Sequence, residues 1–245
     1  QIGLIYEQLL NIEEAIKNYN QAINMDDNNK DLIYRLGMIL YQDGQYKKSL
    51  EYLRRHLLYQ PKDIQVIKIL ANVLYSLNRL PEAIDNYKRL IELEQNNMSY
   101  YHKIALAYWD LGNYNKAQFY YNTILEYEEF QTGEVYYYLG FIANQNKNYD
   151  LALDYFFYAR ECGYTNLNLY NQISISLLQE ENYKDLIPLL HEGLYFHPDN
   201  YDLIYNLAFS YFHIDLYEDS ITLFKKYITR NNNDLTASYL LGVAY

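Results

Sequence analysis

An all-α array of stacked helical hairpins is the fold this sequence predicts, and three observations predict it. A pattern of apolar, small and aromatic residues returns every 34 residues along a chain of 245. Within each copy the apolar residues recur at the i, i+3, i+4, i+7 spacing of a helix buried along one stripe. Punctuation is sparse: 9 Gly and 4 Pro serve the whole length, and no Pro-, Ser- or Gly-rich stretch is long enough to part domains. The expectation is therefore one continuous array over residues 1–245.

The copy at 98–132 states the unit most clearly. Tyr101, Ile104, Ala105, Tyr108 and Leu111 share one stripe of a first helix. Gly112 and Asn113 break the run, and Ala117, Tyr121 and Ile124 line a second helix. Ala105 and Ala117 are the small residues that let the two helices approach closely. Before it, residues 1–29 hold the tail of a partial copy (Gly3, Tyr6, Ala15, Tyr19, Ala22), whose first helix reads as cut. Residues 30–63 carry Leu36, Gly37, Leu40, Ser49 and Leu53, and Pro61 ends the second helix. Residues 64–97 carry Leu70, Ala71, Leu74, Ala83, Tyr87 and Leu90, with Pro81 at the first helical position, where a missing N–H costs nothing. After one extra residue, 133–166 holds Leu139, Gly140, Ala143, Ala152, Phe156 and Ala159, with Gly163 as the helix stop. Residues 167–200 carry Ile173, Ser174, Leu177, Leu190 and Pro198, and residues 201–234 carry Leu207, Ala208, Ser220 and Phe224. Residues 235–245 open a further first helix, whose Leu240, Leu241 and Tyr245 are expected to face a neighbour beyond the chain; the sequence thus reads as a piece of a longer protein.

A 34-residue helix-turn-helix unit with small residues at two contact points and aromatic fillers resembles the tetratricopeptide repeat family. The resemblance covers the whole chain, six complete copies and two partial ones, although the early tryptophan of the family is replaced by Ile33, Ile67, Tyr101, Tyr136, Tyr170, Ile204 and Ser238. It implies a right-handed superhelical solenoid, in which each hairpin buries its two apolar faces only by stacking on its neighbours.

The copy at 167–200 departs furthest. Leu186 fills a slot kept small elsewhere, and Pro188 falls inside the second helix, where it removes a hydrogen bond and is expected to kink or delay the helix. Gly193 is the residue expected to make room. Altered local curvature is predicted over 182–198.

Composition narrows the function classes. A formal charge of -11 repels nucleic-acid phosphates, so a basic or neutral partner fits better. No run of 18 apolar residues reads as a membrane span, and no membrane insertion is expected. The single cysteine, Cys162, forms no intramolecular disulfide and suits a reducing, cytoplasmic setting, while targeting segments outside the chain stay open because it opens on Gln1. Thirty-three tyrosines stand out; compositional bias accounts for most of them in this reading.

No chemistry is legible. His56, His102, His191, His197 and His213 are scattered, and His191 and His197 stand six apart, where a zinc-protease motif needs four. There is no Gly-rich phosphate loop, nucleophile elbow or paired-carboxylate frame. The expectation is no enzyme, no cofactor and no metal.

Binding is legible, because helical geometry identifies the face of each first helix not used for packing. In 98–132 that face is Ser99, His102, Leu106, Trp109 and Asp110. Carried through the copies it selects Tyr34, Tyr41, Lys68, Asn72, Tyr75, His102, Trp109, Tyr137, Asn144, Asn171, Tyr205 and Phe212. Met38, Leu106, Phe141, Ile175 and Phe209 divide between that face and the shared core. In arrays of the family the corresponding face lines the concave groove, so the resemblance implies a scaffold that holds a peptide or partner helix there. A substrate-recruiting or regulatory part of a larger enzyme is the alternative, and self-association through open array ends a third. The family's clamp for C-terminal carboxylates is matched at Lys68 and Asn72 but fails at Lys103, Glu134 and Tyr138.

Overall fold

The computed structural model describes residues 2–95 and 97–245, and these are helical almost throughout. They fall into two compact units, 1–130 and 131–245, divided near the end of the copy at 98–132, the one that carries an extra residue. In the first unit the helices are α1 (Ile2–Gln8), α2 (Ile12–Met25), α3 (Lys30–Gln42), α4 (Tyr46–Tyr59), α5 (Ile64–Ser76), α6 (Leu80–Leu93), α7 (Met98–Asp110) and α8 (Tyr114–Leu125), closed by a 3-10 turn at Glu128–Phe130. The second holds α9 (Gly133–Gln145), α10 (Tyr149–Glu161), α11 (Leu167–Gln179), α12 (Tyr183–Phe196), α13 (Tyr201–His213), α14 (Tyr217–Ile228) and α15 (Leu235–Ala244). Odd-numbered helices pack on the even-numbered helix that follows, and within each unit every even helix packs on the next odd one.

Two local devices set the hairpins. Six first helices start on an Asx cap, where Asn29, Asp63, Asn97, Asn166, Asn200 and Asp234 each accept a backbone N–H of the first turn, whereas α9 starts on Thr132 without a side-chain bond. Each first helix then ends in one left-handed residue, at Leu10, Gly44, Asn78, Gly112, Lys147, Glu181 and Asp215. Only two of these are glycine, although an L side chain is strained there. Lys147→Gly and Glu181→Gly, exposed and in separate turns, are each expected to stabilise by about 0.5–1 kcal/mol and to act additively in urea unfolding.

The hairpin contact follows the expected small slots. Ala105 and Ala117 are fully buried. Ser49 Oγ donates to the Gly37 carbonyl at 2.8 Å, and Ser220 Oγ to that of Ala208 at 2.9 Å, which is possible only where backbones nearly touch. At Gly140 a Cβ would lie 2.6 Å from the Phe156 ring, so glycine is what seats that ring.

Several expectations need correction. On α7 the buried residues are Met98, Tyr100, Ile104, Ala105, Ala107 and Tyr108, while Leu111 caps the helix and is exposed. Such a first helix within the first unit is wedged between its own second helix and the preceding one, so it is buried on two faces, and Ile39 and Val73 lie in the core for the same reason. Pro81 is one position further into α6 than expected, and Pro188 neither delays nor breaks α12. Gly193 makes room for Tyr170 and Leu203, not for Leu186. On α15, Leu240 and Leu241 pack against the Ala208 and Phe224 cluster, whereas Leu235, Tyr239 and Val243 are exposed.

Tyrosine is a core residue here: Tyr87, Tyr100, Tyr121 and Tyr170 are among the largest fully buried side chains. A buried ring needs a partner for its hydroxyl. Tyr87 donates to Asn72, Tyr19 to Glu7 and Tyr100 to Glu94. Burial, reinforced at Tyr19 and Tyr100 by those carboxylates, pushes all three phenols up to about 12 from 10.0. The folded chain thus keeps protons that the unfolded chain releases near pH 10. Their stabilising contribution is whole below pH 10 and lost as pH rises towards about 12. Melting temperature is expected to fall over that interval, in step with a delayed phenolate absorbance transition.

Candidate functional site

The exposed edge of each first helix is built from three successive constraints. The Asx cap, where present, fixes where the helix begins, the small slot fixes its rotation against the second helix, and the left-handed residue fixes where it ends. What remains uncovered is a strip of side chains about one per turn.

Two positions on this strip recur as aromatics that lean on the second helix of their own hairpin. Tyr41 packs on Tyr46 with ring centroids 6.0 Å apart, Trp109 on Tyr114 at 5.2 Å, and Phe212 on Tyr217 at 5.7 Å. Two turns closer to the N-terminus of the same helices, Tyr34 meets His56 at 5.1 Å and Tyr205 meets Tyr227 at 5.1 Å, while His102 lies 6.0 Å from Tyr121. All six are half-buried, and each ring rests on a side chain of the second helix. An aromatic held this way loses little freedom when a ligand covers it.

The polar members are knitted to their neighbours. Tyr75 on α5 donates its hydroxyl to Asp110 on α7, tying consecutive first helices together. The Asn72 carbonyl oxygen accepts from Tyr87 at 2.8 Å, and Asn144 Nδ2 donates to Gln172 at 3.1 Å. Lys68 is exposed and Asn171 half-buried on α11. Tyr137 is the exception and a correction: only 9% exposed, it packs on Phe156 and Tyr164 within the core, because alanine at 159, where His56 and Tyr227 stand in other copies, leaves space for its ring. Exposed or half-buried in the first unit are Tyr34, Tyr41, Lys68, Asn72, Tyr75, His102 and Trp109, and in the second Asn144, Asn171, Tyr205 and Phe212.

Sequence reasoning did not select the supporting residues Tyr46, Tyr114, Tyr217 and Gln172. For the tyrosines a signal existed, since tyrosine recurs at the first position of the second helix in five copies. Among the described residues no group of three or more His, Cys, Asp or Glu is placed to hold a metal ion. No helix among them is long and apolar enough to cross a membrane.

Comparisons with known proteins agree with this architecture. Models described as "TPR repeat" and "Tetratricopeptide repeat" match residues 71–112 and 99–130, and one described as "Anaphase-promoting complex, cyclosome, subunit 3" matches 8–90. A TPR repeat-containing protein of Methanocaldococcus jannaschii is 27% identical over 112 residues, 46% of this chain and 20% of that protein. The matches to the curated relatives span no more than 20% of the relatives' own length. Among solved structures, the C-terminal part of a TPR repeat-containing protein of Cytophaga hutchinsonii aligns over 98% of both chains at 16% identity with a TM-score of 0.69. YrrB, described as a TPR protein with an unusual peptide-binding site, aligns over 76% of this chain and 96% of its own at 20% identity and TM-score 0.58. With the 34-residue period, the paired small slots and these matches in hand, the chain belongs to the tetratricopeptide repeat family.

Proposed function

We propose that this chain is a non-catalytic protein-interaction scaffold that holds a peptide or partner helix along the exposed face of its first helices. One observation carries the reading: Tyr41, Trp109 and Phe212, at equivalent positions in three hairpins, are each braced by the tyrosine that opens the second helix. Half-buried aromatics braced at equivalent positions, Tyr41 and Trp109 in the first unit and Phe212 in the second, suit a recognition surface within each unit. The half-buried Asn171 supplies an amide suited to an extended backbone, and the peptide-binding site named for YrrB is consistent with such a use.

A second reading, a substrate-recruiting or regulatory segment of a longer enzyme, is favoured by the length of the curated relatives. It uses the same strip. The test is affinity capture from the source cell with wild type and with Tyr75→Ala/Trp109→Ala. Partners present on the wild type and missing from the variant are the expected result; identical partner sets would remove the strip from consideration.

A further inference from the structure

The copy that departs from the pattern opens a cleft on the side of the second helices. Where serine fills the small slot, its hydroxyl reaches across to the first helix, as at Ser49 and Ser220. In this copy Leu186 fills the slot, and Ser174, the small residue on the first helix, turns its hydroxyl back to the Tyr170 carbonyl of its own helix at 2.6 Å. A buried leucine there holds α12 away from α11, and the two meet over a smaller contact than in any other complete hairpin. Between α10, the end of α11 and the start of α12 lies a cleft of about 460 Å³.

Its chemistry is specific. Leu153 and Phe157 of α10 line it with Leu177 and Leu189, an apolar lining of the kind that takes a buried anchor side chain. Glu180 and Asp185 complete the lining, and both are exposed. The one cation of the lining, Arg160, is already engaged by Glu192, with Nε to Oε2 at 2.8 Å, so the remaining charge is negative. Pro188, also in the wall, has no N–H to offer the Lys184 carbonyl one turn back, which leaves an acceptor without its helical donor.

We propose that this cleft is a second docking site, separate from the first-helix strip, for a partner-protein segment that presents one apolar side chain next to a lysine or arginine. The apolar side chain lies among Leu153, Phe157 and Leu189, and the cation is held by Glu180 and Asp185. Charge complementarity sets the sign: an acidic segment would meet two uncompensated carboxylates.

Random dodecapeptides displayed on phage and selected on the immobilised chain provide the probe, and the enriched sequences, made synthetically, are measured by fluorescence anisotropy. Against Glu180→Lys/Asp185→Lys, a set of enriched peptides carrying adjacent apolar and basic residues is expected to bind at least tenfold more weakly. The same set should bind Trp109→Ala as tightly as wild type. Both changed positions are exposed, and the fold gives up only the bond that Asp185 accepts from Asn182 in the first turn of α12, so at most a slightly lowered melting curve is expected to accompany the loss. The proposal is overturned if no enriched peptide discriminates against the double variant, if the discriminating peptides lack the basic residue, or if their binding also depends on Trp109. Failure of the strip would appear separately, as indifference to Trp109→Ala among all peptides.

Discussion

Replacing Phe156 by alanine is expected to destabilise the second unit by about 3–5 kcal/mol, the usual cost of emptying a buried aromatic site. Phe156 is fully buried, its ring rests on Gly140, and Tyr137 packs on it at 6.0 Å with the rings tilted by 41°. The backbone of α9 and α10 cannot close the gap, because Ala152 already holds the helices at minimum separation. Urea unfolding followed by circular dichroism checks the value. Phe119→Ala is the control: at 66% exposure it is expected to change stability by no more than about 0.5 kcal/mol. Equal effects at the two positions would contradict the packing described.

Trp109→Ala is expected to weaken the captured partner roughly thirtyfold, about 2 kcal/mol, the scale of an aromatic hot spot. The loss comes from the partner, since Trp109 is half-buried and its bracing residue, Tyr114, remains. Tyr41→Ala is expected to act in the same direction. Isothermal titration with the wild type and each variant supplies the numbers, and unfolding curves separate a binding loss from a folding one.

How much of this was written in the sequence differs by element. The period, the small slots and the breaks at Gly112 and Asn113 stand in the residue order because close helix approach excludes large side chains, so Ala105 and Ala117 announce themselves. The double burial of α7 was harder to read: Ala107 and Tyr100 are buried against the preceding second helix, a contact that a single amphipathic stripe does not describe. The left-handed residues at Leu10, Lys147 and Glu181 were illegible from residue type, because none of these side chains favours that conformation. For the proposed strip, helical spacing selected Tyr41, Trp109 and Phe212, which are half-buried and braced by a tyrosine of the second helix. It misassigned Tyr137, whose burial depends on what stands opposite, at Ala159. Pro188 signalled a local departure correctly in place but not in form, since α12 runs through it and the consequence is a cleft beside α10.

The most direct measurement is hydrogen exchange on the chain with and without a partner that Tyr75→Ala/Trp109→Ala fails to capture. Slowed exchange concentrated in the first helices, above all across 64–76 and 98–110, is the predicted result. Protection confined to α4, α6 and α8, with those first helices unchanged, would contradict the proposal that the chain works through its first-helix face.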